Sequence, residues 1–144
     1  MIKSEYGMFK SMKSVLQLGL IGFVAMFLAA CAPEAPSISP KVAAEMFADN
    51  KAIIIDVREN EEWLEQHIDG AILIPLGEVE SRLAELTQYK DSTVIMQCRS
   101  GRRSAKAGST LLEAGFTKVY NLTGGILAWD EANLPVVRGV TMMP

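Results

Sequence analysis

Ala52-Ile53-Ile54-Ile55-Asp56-Val57 is a nearly unbroken β-branched run with a single carboxylate at its end. A strand wetted on one side alternates apolar and polar residues, whereas a continuous run is the pattern of a strand covered on both faces of a parallel sheet. Thr93-Val94-Ile95-Met96-Gln97 repeats the pattern, and Ala71-Ile72-Leu73-Ile74, stopped by Pro75, and Lys118-Val119-Tyr120-Asn121 read as two more strands. Helical patterns lie between them. Ser39-Pro40 opens one, with Ser39 as N-cap, an apolar face of Val42, Ala43, Met46 and Phe47, and a stop at Asp49-Asn50. Glu59 to Gln66 is a short acidic helix, and Val79, Leu83 and Leu86 have helical spacing. Arg103 to Ala114 is a helix closed by Gly115, and Gly124-Gly125 opens a last one that runs through Trp129 and ends before Pro135. The alternation predicts an α/β fold of one domain, an open parallel sheet flanked by helices on both faces.

Ligands of such sheets bind beyond the carboxyl ends of the strands. Cys98-Arg99-Ser100-Gly101-Arg102-Arg103 occupies such an end, joining a buried strand to the start of a helix. Successive backbone N–H groups in a turn of this kind converge on one point, and the positive end of the helix dipole adds to them. Three guanidiniums raise the potential further. A thiolate at Cys98 is stabilised by all of these, so its pKa is expected below that of free cysteine, about 8.5. Gly101 supplies the backbone freedom of a tight loop, and Ser104 donates a hydroxyl to the loop or starts the helix. The clustering of Arg99, Arg102 and Arg103 beside the thiol makes them candidate contacts for an anionic substrate.

The first thirty residues read as an address. Lys3, Lys10 and Lys13 precede an apolar stretch from Val15 to Ala30. Its sixteen residues span roughly 24 Å as a helix, short of a ~30 Å hydrocarbon core, which favours a secretory signal over a permanent span. Leu28-Ala29-Ala30-Cys31 resembles the bacterial lipobox, which implies cleavage before Cys31 and a diacylglyceryl group on it, so the expected attachment to the membrane is an N-terminal lipid. By resemblance to two-membrane bacteria, Ala32 after the cysteine favours the outer membrane. The expected location is the cell envelope, facing the periplasm or the exterior. The segments expected are a signal peptide at 1–30, a lipidated Cys31 with a proline-rich tether at 31–37, the folded domain at 38–138, and a tail at 139–144.

Composition excludes other classes. The chain has 144 residues, 49% of them apolar and 22% charged, which rules out disorder. A net charge of -3 argues against a nucleic-acid partner, and loss of residues 1–30, with three Lys and one Glu, leaves 11 Lys+Arg against 16 Asp+Glu. Two cysteines and one histidine exclude a disulfide scaffold, a four-cysteine zinc site and a His-rich metal centre, so no metal and no cofactor are expected.

Asp56-Val57-Arg58-Glu59, Glu62-Trp63, His67-Ile68, Gly70-Ala71, Ile74-Pro75, Cys98-Arg99-Ser100-Gly101-Arg102-Arg103-Ser104 and Gly124-Gly125-Ile126-Leu127-Ala128-Trp129 occur in one order along the chain. Together they resemble the single-domain rhodanese family, over about Ile38 to Leu134. The resemblance implies a parallel sheet flanked by helices and transfer of a sulfane sulfur from thiosulfate or a related donor. The acceptor that the resemblance implies is cyanide, a small thiol or a protein thiol, reached through a persulfide on Cys98. It makes Cys98 the nucleophile and Arg99, Ser100, Gly101, Arg102, Arg103 and Ser104 the substrate-binding loop. The phosphatase branch of the fold resembles Cys-x5-Arg; here the sixth position after Cys98 is Ser104, and the shorter loop suits a sulfur atom.

A second class is a carrier or docking module that holds a persulfide without turnover. A thiol redox protein is disfavoured, since lipidation of Cys31 leaves no resolving cysteine. Asp56 and Arg58 are expected to support structure, the carboxylate orienting the thiol loop or one of its arginines and Arg58 binding a neighbouring acid. His67 reads as a hydrogen-bonded turn residue, Trp63 and Trp129 as packing, and Glu59, Glu61, Glu62 and Glu65 as a solvated helix face.

Overall fold

The computed structural model describes residues 32–139. The expected signal peptide, Cys31 with its expected lipid, and the expected tail from residue 140 lie outside the described residues. Five strands form one all-parallel sheet: β1 (Ser37–Ile38), β2 (Ala52–Asp56), β4 (Ile72–Leu73), β5 (Thr93–Gln97) and β6 (Lys118–Leu122). Their order is β1-β6-β5-β2-β4, so β5, which delivers Cys98, stands in the centre. The α/β architecture matches the expectation. A second ladder was not legible: β3 (Gln66–His67) pairs antiparallel with β7 (Val137–Arg138).

The pleat sorts the continuous apolar runs onto two cores. Ile54 and Ile95 face α1 (Pro40–Ala48) and α5 (Gly125–Glu131), where they meet Ala43, Leu122, Ile126 and Trp129. Ile55, Val94 and Met96 face α4 (Arg102–Glu113) and the short α3 (Leu83–Leu86), with Ala107, Leu111 and Leu86. Each fully buried Ile or Leu contributes about 2 kcal/mol toward the ordering cost of the chain. Ser39 caps α1 by accepting the Val42 N–H at 3.4 Å, and Trp129 donates its indole N–H to the Pro135 carbonyl at 2.9 Å.

Three boundaries depart from the sequence reading. The proline-rich segment is not a free tether up to Ser37. Ala35 packs against the core, the Pro36 carbonyl accepts the Asn121 N–H at 2.9 Å, and Ser37 and Ile38 pair with Asn121 and Leu122. The cause is geometric. A side chain on Gly108 would put its Cβ 2.8 Å from the Ala35 Cβ, so the missing side chain leaves a slot, while β6 needs a partner for its outer edge. Between Leu76 and Tyr89 the apolar spacing yields two 3-10 turns around α3 instead of one helix. Beyond β7, Gly139 still donates to the Glu65 carbonyl at 3.0 Å, so the fold continues past the expected boundary at residue 138.

Candidate active site

Cys98 follows β5 directly and is 1% exposed. Its loop is turned inside out by α5. The N–H groups of Ile126 and Leu127 donate to the Cys98 and Arg99 carbonyls at 2.9 and 3.3 Å, and the Gln97 side-chain amide also donates to the Cys98 carbonyl. With those carbonyls held outward, the following amides face the sulfur. The Gly101 N–H donates to Sγ at 3.1 Å, and the Ser104 hydroxyl lies 3.3 Å away. Gly101, at φ +99, caps α4, a conformation that favours glycine.

Burial is the largest influence on the Cys98 thiol and pushes its pKa up, but the Ser104 hydroxyl and the amides of Ser104, Ser100 and Gly101 outweigh it, and the net direction is down. The arginines contribute less than the sequence suggested. Arg103 forms a two-pronged pair with Glu62, both N···O distances 2.7 Å, so its charge is balanced locally. Arg99 and Arg102 are exposed and act through solvent. Ser100 is also exposed, while Ser104 is fully buried. The loop thus brings Gly101 and Ser104 to the sulfur, and leaves the side chains of Arg99, Ser100 and Arg102 at its rim.

Asp56 and Arg58 are buried together and bind each other. Arg58 Nη2 lies 2.6 Å from Asp56 Oδ2, and Nε and the Arg58 N–H both reach Oδ1 at 3.0 Å. The bonds found for Asp56 go to Arg58, not to the thiol loop as expected. Arg58 donates onward to the carbonyls of Glu62 and Gln66, at 3.1 and 2.8 Å. It therefore holds the end of α2 (Asn60–Glu65) on the sheet, and with it Glu62.

Glu62 corrects the expectation of a solvated acidic face. Its carboxylate accepts the Glu59 N–H at 3.1 Å in a capping box and clamps Arg103 of the thiol loop. The signal was present in the spacing Glu59–Glu62. Arg103 lowers the Glu62 pKa to about 2, against the cost of partial burial. A carboxylate depressed on folding stabilises the native state above its ordinary pKa and loses that contribution as pH falls toward the folded value. Glu62→Gln is therefore expected to flatten the loss of stability between about pH 4.5 and pH 2, measured by urea unfolding at a series of pH values.

Asn121 was read only as a strand residue. It is 8% exposed, accepts the Ser104 hydroxyl on Oδ1 at 2.7 Å and donates from Nδ2 to the Gly101 carbonyl at 3.0 Å. An amide side chain set between Tyr120 and Leu122 in a strand was its sequence signal. His67 lies in β3, bonded through Nδ1 to the Trp63 carbonyl at 3.0 Å and stacked on the Trp63 ring at 4.1 Å.

A parallel α/β sheet whose central strand delivers one buried thiol into an amide-lined loop defines a cysteine-centred domain of narrow type. The chain belongs to the Rhodanese-like domain family, whose model matches residues 39–132. Among its relatives, the "Putative sulfur carrier protein YrkF" of Bacillus subtilis is 42% identical over 101 residues, 67% of this chain and 54% of that one. A "Sulfurtransferase" of Allochromatium vinosum is 34% identical over 69% of this chain and 92% of its own length. The crystal structure of a rhodanese-related protein from Thermoplasma volcanium superposes with a TM-score of 0.64 at 31% identity, over 71% of this chain and 97% of that one. The chain spans little more than half the length of the Bacillus relative.

Proposed function

We propose that this chain is a sulfurtransferase that moves a sulfane sulfur from thiosulfate or a similar donor to a thiophilic acceptor through a persulfide on Cys98. The observation that carries the reading is the buried Cys98 Sγ with the Gly101 N–H at 3.1 Å and the Ser104 hydroxyl at 3.3 Å. In the first displacement the thiolate attacks the outer sulfur of thiosulfate. A new S–S bond forms at Cys98, and the old one breaks with its electron pair leaving on sulfite. In the second, cyanide or a thiolate attacks the outer sulfur, and the electron pair of the persulfide bond returns to Sγ. This is covalent catalysis in two balanced steps, with no oxidant and no general base. Arg99 and Arg102 at the rim draw in the anionic donor, while the Gly101 amide and Ser104 hold the reacting sulfur. Arg103, through Glu62, keeps the loop in register with α2.

A carrier reading is favoured by one observation, the name of the Bacillus relative. Steady-state assay separates the two. Many thiocyanate molecules per chain are expected from thiosulfate and cyanide; a single equivalent, formed in a burst and followed by none, supports carriage instead.

The pattern Lys3, Lys10, Lys13, Val15 to Ala30 and Leu28-Ala29-Ala30-Cys31 supports export and a lipid on Cys31. The membrane fraction of cells is expected to hold the native chain and to lose it for Cys31→Ser; equal membrane content of both contradicts the anchor.

A further inference from the structure

The Ser104 hydroxyl has one proton and two claimants. Asn121 Oδ1 lies at 2.7 Å and Cys98 Sγ at 3.3 Å. The Asn121 amide is fixed in direction by its other end. Nδ2 donates to the Gly101 carbonyl at 3.0 Å, and reversing the amide would set two acceptors against each other. Oδ1 can only accept, so while the sulfur is uncharged, as a thiol or a persulfide, Ser104 donates to the nearer Asn121. That arrangement suits a thiol, whose S–H completes a chain from Cys98 through Ser104 to Asn121. It does not suit a thiolate, which wants the hydroxyl proton itself.

We propose that Asn121 is a positioning residue of the sulfur site: it holds the Ser104 hydroxyl proton while Cys98 is uncharged, and gives it up to Sγ when charge appears there. The inference rests on the persulfide reading above and adds to it a residue that acts through another. As the acceptor takes the outer sulfur, the persulfide bond breaks and its electron pair collects on Sγ. The Ser104 O–H then rotates from Asn121 to Sγ. The proton stays covalently on the serine oxygen throughout, and only its hydrogen bond moves. A donor that is engaged elsewhere in the ground state and free in the charged state stabilises the second more than the first. The cost is an Asn121 Oδ1 left without the Ser104 proton in a site that is nearly closed to water.

The arrangement makes a directional statement about the thiol. Removing Oδ1 removes the competitor, so Asn121→Ala is expected to favour the thiolate. The expected shift of the Cys98 alkylation midpoint is downward by about half a unit to one unit, about three- to tenfold more thiolate on its acid side. Asn121→Asp holds the serine proton more firmly, adds a negative charge and sets an oxygen against the Gly101 carbonyl in place of Nδ2, so its midpoint moves up, and the part that comes from Gly101 is the same with and without Ser104. Other charged groups near the thiol or Asn121 remain in place in both variants: Arg103 with Glu62, Glu59, Arg99 and Arg102 on the loop side, and Lys106 and Glu34 beside Asn121.

The test is the pH–rate profile of iodoacetamide alkylation of Cys98 in the full chain, for Asn121→Ala with Ser104 present and with Ser104→Ala. A midpoint that falls in the first background and stays in place in the second supports the proposal. Equal shifts in both, or none in either, overturn it, because a merely structural grip on Gly101 does not depend on Ser104. Should the alanine variant fail to fold, Asn121→Asp carries the test. Its upward shift must be larger with Ser104 than without, and equal shifts overturn the proposal. Alkylation needs no sulfur donor, so its outcome is separate from that of the turnover assay.

Discussion

Exchanging Cys98 for serine is expected to lower thiosulfate-to-cyanide transfer at least about a thousandfold while leaving the fold in place. The serine oxygen would occupy the position where Sγ lies 3.1 Å from the Gly101 nitrogen, so the same amide meets a hydrogen-bond acceptor and the loop keeps its shape. What changes is chemistry. A hydroxyl at neutral pH is almost wholly protonated. Among the described residues the groups bonded at this position are the Gly101 amide and the Ser104 hydroxyl, neither of them a base, while His67 is bonded to the Trp63 carbonyl and stacked on the Trp63 ring. An alkoxide would also form an S–O bond in place of a persulfide. The measurement is steady-state turnover of the variant beside its thermal unfolding midpoint. Transfer within tenfold of the native rate, with the midpoint unchanged, would remove Cys98 from the mechanism.

Gly125→Ala is expected to destabilise the protein by on the order of 4 kcal/mol and to abolish transfer with it. Two independent effects combine. Gly125 stands at φ +58, where a side chain is strained, and a Cβ there would lie 2.3 Å from the Cys98 carbonyl oxygen and 2.6 Å from the Arg99 carbonyl carbon and oxygen. All three are backbone atoms, so neither rotamer change nor a flexible neighbour relieves the contact. Separation of α5 from the loop would break the bonds from Ile126 and Leu127 that turn the carbonyls outward and the amides inward. For a domain of roughly 100 residues the change corresponds to a fall in Tm of about 15 °C or more. Gly77→Ala is the control. Nothing lies within 4 Å of its Cβ position, and the expected change is within about 0.5 kcal/mol.

The sheet was legible because a parallel strand covered on both faces leaves a trace in composition. Ala52–Asp56 and Thr93–Gln97 are apolar along most of their length, and every residue from Ile54 to Asp56 and from Val94 to Gln97 is buried. The thiol loop was legible for a different reason: a cysteine, glycine and arginines between a strand and a helix leave few alternatives. Long-range partners were not. Arg103 and Glu62 are 41 residues apart, and Ser104 and Asn121 17 apart. No local spacing connects them, although each carried a local hint in its capping box or its polar place in a strand. The same blindness explains the arginines. A guanidinium looks free in sequence until its carboxylate is found, and Arg58 and Arg103 both have one. Pro33 and Pro36 suggested a tether, yet the absence of a side chain at Gly108, more than seventy positions away, decides that Ala35 is docked.

The most direct test of a sulfur-carrying Cys98 is intact mass spectrometry of the chain after incubation with thiosulfate, then with cyanide. The native chain is expected to gain the mass of one sulfur atom and to lose it on adding cyanide, while Cys98→Ser gains nothing. An unchanged mass, or the same gain in Cys98→Ser, would contradict the account.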